Sequence, residues 1–172
     1  MNISFIKQKS HLLGFLIIPL LIACNENLPS RPATESADSQ GADKLIVYKI
    51  PTCGCCTEWM THMEHAGFET ITEHPADMTA IKNRFNIKAN IQSCHTAVSS
   101  QGYVFEGHVP ARYIRAFLAE PPKDAIGLAV PGMPLGSPGL EVGGRFTPYQ
   151  VMLVNEDGSS TVFATVENAA QQ

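Results

Sequence analysis

Two hydrophobic periods alternate along the middle of the chain. Leu45 to Ile50 is a short apolar-rich run, which predicts a buried strand. It leads through Pro51-Thr52 into a helical period, with Trp59, Met60, Met63 and Ala66 on one face and Glu58, Thr61, His62 and His65 mostly on the other. That pattern predicts a helix from about Gly54 or Thr57 to Ala66, stopped by Gly67. Phe68 to His74 alternates apolar and polar residues and predicts a second strand. Asp77 suits the N-cap of a second helix running to Phe85, with Met78, Ile81 and Phe85 inward. After a loop from Asn86 to Ser93, Thr96 to Ser99 predicts a third strand, which Ser100-Gln101-Gly102 turns back into Tyr103-Val104-Phe105. Pro110 then starts a helix over Ala111 to Glu120, with Tyr113, Ile114, Phe117 and Leu118 on one face.

The resulting order, β-α-β-α-β-β-α, is that of an α/β thioredoxin-like fold. Beyond Pro121-Pro122 the chain changes character. From Gly127 to Gly144 glycine and proline are expected to exclude long regular elements, so this stretch reads as an irregular arm. Gln150 to Val154 and Thr161 to Val166 predict a hairpin through Glu156-Asp157-Gly158. A plain thioredoxin has no need of such an arm, and long irregular segments usually serve function. It is therefore expected to pack against the cysteine-bearing face. Residues 167–172 read as a tail.

The first residues are expected to lie outside the folded domain, which is placed at residues 44–166. Lys7 and Lys9 precede an uncharged apolar run from Leu12 to Ala23, of signal-peptide length. It ends in Leu21-Ile22-Ala23-Cys24, which resembles a bacterial lipobox. Residues 1–23 are thus expected to be a lipoprotein signal peptide and Cys24 the lipidated N-terminus. The alternative is an ordinary secretory signal in which Cys24 is incidental. Asn25 rather than aspartate after the cysteine favours the outer membrane over the inner one. Asn25 to Asp43, rich in Pro, Ser, Ala and acidic residues, reads as a disordered tether spanning about 25 Å.

Removing Lys7 and Lys9 from the twelve basic residues leaves ten against sixteen acidic ones, a net charge of −6. This mildly acidic balance gives no case for nucleic acid or for electrostatic membrane binding, so no nucleic-acid partner is expected and membrane attachment would come from the lipid alone.

Four cysteines remain after Cys24, and three of them crowd into Cys53-Gly54-Cys55-Cys56, between the first strand and the first helix. Vicinal Cys55 and Cys56 cannot bridge each other without strain, so the group is a poor fold staple. A helix N-terminus stabilises thiolate. Two readings follow. In a dithiol redox reading Cys53 is the exposed nucleophile and Cys56 the resolving thiol, which leaves Cys55 unexplained. In a metal reading all three take part and Cys94 joins them, because the residue opening the third strand faces the C-x-x-C in a thioredoxin order. Tetrahedral zinc sites pair two separated knuckles, and this spacing is too cramped for that. Cu(I) is soft and tolerates bridging thiolates, so a crowded CxCC can hold one or more ions.

Supplementary ligands are fewer. Met133 in the Gly/Pro arm is the best-placed methionine, whereas Met60, Met63 and Met152 read as packing residues. His95 and His108 are candidates for direct ligation or for hydrogen bonds to ligands. His62 and His65 read as solvated surface residues, and His74 as a strand end.

The segments YKIPTCGCCTEWMTHMEHAGF, SCHTAV, EGHVPARYI, GLAVPGMPLGSPGLE and PYQVMLVNEDG follow one another in the order and spacing of a CopG-type copper-resistance family, distinct from the ribbon–helix–helix repressor of similar name. The resemblance spans Lys44 to Val166. It implies a thioredoxin-like fold, a Cu(I) centre bound by Cys53, Cys55, Cys56 and Cys94, and a role in periplasmic copper resistance that extends to interconversion of Cu(I) and Cu(II). Partners would be copper ions and periplasmic copper-handling proteins. One departure is visible: Leu140 stands where methionine is common in the family, so any copper contact made there by relatives is lost. Met133 keeps its place. Two other functions stay open: a thiol–disulfide oxidoreductase acting on proteins, and a copper chaperone or buffer without redox turnover.

Overall fold

The computed structural model describes residues 43–172. The expected signal peptide, the expected lipidation site at Cys24 and the expected tether up to residue 42 lie outside the described residues. Leu45 and Val47 alternate with more exposed neighbours, so β1 (Lys44–Tyr48) sends them into the core. Helix α1 (Gly54–His65) follows, ended by Ala66 and by Gly67 at φ +89, a left-handed value that glycine adopts without strain. Trp59 and Met63 are fully buried, while Met60 and Ala66 are partly buried against the same core.

Strand β2 (Glu69–Glu73) pairs parallel to β1 at one sheet edge and is mostly exposed. Its single large apolar residue, Ile71, is exposed despite the alternating sequence. Helix α2 (Met78–Arg84) begins at Asp77, whose carboxylate accepts the Thr79 N–H at 2.7 Å. Its inward residue differs from the expectation. Met78, Ile81 and Phe85 are only half-buried, and Lys82 is the buried one. The reason is electrostatic: the Lys82 ammonium meets Glu106 in the interior.

A short 3-10 turn (Ala89–Ile91) interrupts the expected loop before β3 (Thr96–Ser99), which pairs antiparallel with β1 and with β4 (Val104–Glu106). Helix α3 (Ala111–Ala119) buries Ala111, Ile114 and Phe117, and Phe117 meets Tyr103 and Phe105 edge-on. The element order through α3 is the one expected.

Beyond α3 the structure departs from the sequence reading. Ala125–Ala129 forms a fifth strand, β5, parallel to β4. It joins the hairpin of β6 (Tyr149–Asn155) and β7 (Ser160–Val166) to the rest. The whole is one mixed sheet of seven strands in the order β2-β1-β3-β4-β5-β6-β7. Gly127 hides this strand in the sequence. It faces Val104 across the β4–β5 ladder, and a Cβ there would fall on Val104 O with Val104 C at 2.6 Å. The glycine marks a close backbone approach within a strand, not a break. The tail is docked as well: Tyr113 Oη donates to Gln171 O at 2.8 Å, and Gln172 Nε2 donates to Gly136 O at 2.7 Å.

His62 is not a plain surface residue. Its Nε2 accepts the Ala111 N–H at 3.1 Å, so α1 caps the first turn of α3, where Pro110 brings no capping side chain. Burial holds the His62 pKa below its ordinary 6.5, helped by His65 and opposed by Glu141. The acceptor must be unprotonated, so the cap contributes above pH 6.5 and is lost as pH falls through the lowered folded value. His62→Gln is expected to be about 1 kcal/mol less stable near neutral pH, the usual cost of a lost cap. Its stability should also fall less than wild type's on acidification from about pH 7 to pH 5. Thermal melts at both pH values check this, and parallel pH profiles would refute the assignment.

Candidate metal centre

The turn from Pro51 to Cys53 closes with Cys53 N–H donating to Ile50 O at 3.2 Å, which sets Cys53 as the N-cap of α1. Its sulfur accepts the Cys56 N–H at 3.3 Å, so it sits on the free N–H groups of the first helical turn. Cys56 points into the core and is joined to Cys53 by a disulfide, while Cys55 and Cys94 are free thiols. Cys55 Sγ lies 3.5 Å from Cys53 Sγ. Cys94, two residues before β3, joins them, and the four sulfurs all lie within 4.8 Å of one another. The fold thus brings together the four cysteines singled out in the sequence.

Two imidazoles complete the group. His108 Nδ1 lies 2.8 Å from Pro138 O and Nε2 lies 3.0 Å from Cys94 Sγ. A carbonyl only accepts, so Nδ1 carries the proton and Nε2 presents a lone pair to the thiol. His95 Nδ1 lies 3.4 Å from the same sulfur, and its ring is held between Trp59 at 4.5 Å and His108 at 5.1 Å. Burial pushes the His95 pKa well below 6.5, reinforced by His108 and by Lys82 and Lys49. Burial also lowers His108, against the raising effect of Pro138 O and Glu141. Both rings are therefore neutral at pH 7, the form that ligates metals. Burial pushes the Cys94 thiol up to about 12, with Cys55 adding to the shift and the Ser93 hydroxyl opposing it.

The donor set fits a soft metal. Thiols and neutral imidazoles suit Cu(I), and no carboxylate is among the clustered groups. His95 meets Cys94 through Nδ1, while its Nε2 is, among the described residues, the one buried side-chain nitrogen or oxygen without a hydrogen-bond partner. With the Cys53–Cys56 bond formed, the remaining free donors are Cys55, Cys94 and the two histidines; reduction would add two thiols.

The Gly/Pro arm closes the centre from one side. A Cβ on Gly139 would lie 2.5 Å from Cys55 O and 2.7 Å from Trp59 N, so only glycine lets the arm rest on α1 here. Pro138 beside it supplies the carbonyl that orients His108. Met133 is 57 % exposed, on a loop fastened to the Cys94 segment by Gly132 N–H to Gln92 O at 3.1 Å. Leu140 is half-buried and closes a turn with Ser137. Sequence reasoning missed the parts played by Pro138, Gly139, Ser93 and Glu106. A signal existed for one of them: Glu106 is a carboxylate continuing the apolar Val104-Phe105 strand.

No curated protein matches the chain. The family described as "Protein of unknown function, DUF411" matches residues 91–140, which hold Cys94, both histidines and the arm as far as Leu140. Two solved structures of a copper resistance protein copG, described as form 2 and form 1, are each 41 % identical to this chain with a TM-score of 0.67. Form 2 covers 73 % of this chain, which in turn spans 98 % of that structure; the corresponding figures for form 1 are 72 % and 96 %. With two-fifths of its residues identical along nearly the whole of those structures, this chain belongs to the CopG copper-resistance family.

Proposed function

We propose that this protein is a Cu(I)-binding, thioredoxin-like member of its family, serving copper resistance from the periplasmic side of a membrane. The observation that carries the reading is the convergence of four sulfurs within 4.8 Å, flanked by two neutral, buried imidazoles. Cys53, Cys55, Cys56 and Cys94 would hold copper, as one ion or several, with His108 and His95 as further ligands or as groups that orient Cys94. Met133, exposed on the loop tied to Gln92, would serve as a supplementary ligand that meets copper on entry. Anaerobic purification with metal analysis and a free-thiol count tests this. The expected result is copper bound with all four thiols reduced; a fully reduced protein that takes no copper would refute it.

The Cys53–Cys56 disulfide favours a redox role in addition to binding. Two thiolates that join as a disulfide release two electrons, enough to reduce two Cu(II) to two Cu(I). The reverse direction consumes a disulfide and oxidises two Cu(I). Copper is the substrate in this reading, and Cys55 and Cys94 stay as thiols to hold the product. The rival, protein thiol–disulfide exchange, needs only Cys53 and Cys56. Cys55→Ser separates the two: copper binding is expected to weaken about as much as in Cys53→Ser or Cys56→Ser, by about 10-fold or more. A Cys55→Ser protein that binds copper normally yet keeps insulin-reductase activity would establish the rival. A buffer without turnover would show no change in copper oxidation state on stopped-flow mixing with Cu(II). Lipid attachment through Cys24 places the domain at the outer membrane in this proposal; retention of Cys24→Ser in the membrane fraction would argue against it.

A further inference from the structure

Glu106 is fully buried on β4, directly opposite Thr96 of β3. Its carboxylate serves three donors. Oε1 accepts the Ser93 backbone N–H at 2.6 Å and also meets the Lys82 ammonium; Oε2 accepts from Thr96 Oγ1 at 2.6 Å. Ser93 and Thr96 bracket Cys94-His95 in the chain. One interior side chain therefore pins both ends of the dipeptide that brings a thiol and an imidazole to the centre. Other contacts hold the same dipeptide: Gly107 N–H donates to His95 O at 2.9 Å, and Ser93 Oγ donates to Gly132 O.

An ion pair that only fills the interior can usually be replaced by well-packed apolar residues at little cost. An apolar side chain cannot accept the Ser93 N–H, and a freed donor in this half-buried loop would turn to other partners. Cys94 follows directly in the chain. Ligand geometry tolerates little of this, since displacements of about 1 Å are enough to spoil a site.

We propose that Glu106 is a positioning residue for Cys94: by holding Ser93 N–H and Thr96 Oγ1 it fixes Cys94 Sγ against the CGCC turn and His108, and so sets the centre's affinity for a soft metal ion. The copper part rests on the function proposed above; the positioning of the thiol does not.

Two double variants of the full chain test it after reduction, by Cu(I) competition and by the rate of alkylation of Cys94 relative to Cys55. Lys82→Met/Glu106→Leu removes the pair and every acceptor. Lys82→Met/Glu106→Gln removes the charges but keeps a carbonyl for Ser93 N–H. The leucine pair is expected to bind Cu(I) about 10- to 100-fold more weakly, the usual effect of losing a partner that orients a ligand, and to raise the Cys94-to-Cys55 alkylation ratio several-fold. The glutamine pair should recover most of both, at a similar unfolding midpoint. A leucine pair with wild-type affinity and ratio, or a glutamine pair as impaired as the leucine pair, would reduce Glu106 to a core ion pair. If the wild-type chain takes no Cu(I), the copper reading fails and the alkylation ratio alone decides for Glu106. If the leucine pair does not fold, Glu106→Asp takes its place, keeping the charge but losing reach. A raised ratio there supports the proposal and an unchanged one overturns it.

Discussion

Cys94→Ser is expected to weaken Cu(I) binding by about 100-fold, at least the effect of losing a partner that merely orients a ligand. It should also remove one proton from those released on copper loading. Burial and the neighbouring Cys55 push the Cys94 thiol up to about 12, so it is protonated at neutral pH in the free protein. A bond from its sulfur to copper displaces that proton, and the affinity contributed by this ligand rises about tenfold per pH unit below the thiol's pKa. Serine offers no thiolate, so the variant's affinity should climb less steeply with pH by one proton. The fold should survive, because Cys94 is only partly buried and lies outside the ladder hydrogen bonds of β3. Competition with a chromophoric Cu(I) chelator between about pH 6 and pH 8 reads both quantities. Unchanged affinity, stoichiometry and pH slope would remove Cys94 from the centre and leave the CGCC turn to act alone.

Gly127→Ala is expected to give the largest loss of stability. A methyl at this position falls on the backbone of Val104, the residue it faces across the β4–β5 ladder, and backbone cannot rotate aside as a side chain can. The conflict therefore opens the pairing through which β5, β6 and β7 join the sheet. A destabilisation of about 4 kcal/mol or more is expected, beyond the range of ordinary substitutions. Gly54→Ala provides the contrast. Nothing lies within 4 Å of a Cβ there, and the residue opens α1, so alanine should be neutral or stabilising by about 0.5 to 1 kcal/mol. Denaturant unfolding of both proteins checks the pair. Similar stabilities would show that β4 and β5 tolerate a wider separation than this packing implies.

Much of the architecture was legible because local chemistry and tertiary role agree in it. Asp77 caps α2, Gly67 ends α1, and the apolar stripes of α1 and α3 face the core. Legibility failed where a tertiary partner changed a residue's meaning. The pattern of α2 turns Met78, Ile81 and Phe85 inward, but Glu106, 24 positions from Lys82, draws that lysine into the core instead. His62 reads as solvated until α3 arrives to be capped. Gly127 reads as a breaker because the approach of β4 leaves no trace in its neighbours. Even the exposed Ile71 belongs here: alternation marks a strand, but only sheet order tells that β2 is an edge.

The candidate centre divides along the same line. The sequence by itself determined that three thiols share the turn at a helix N-terminus, since adjacency in the chain guarantees adjacency in space. It also pointed to Cys94 and to His95 and His108, through the order of elements and the family motifs. Only the tertiary structure decided how near these groups come and in what state they meet. Non-local distances depend on loops and sheet pairing that no short motif encodes. Those contacts bring Cys94 within 4.8 Å of the other sulfurs, turn His108 with Pro138 O so that a lone pair faces the thiol, and raise that thiol's pKa by burial.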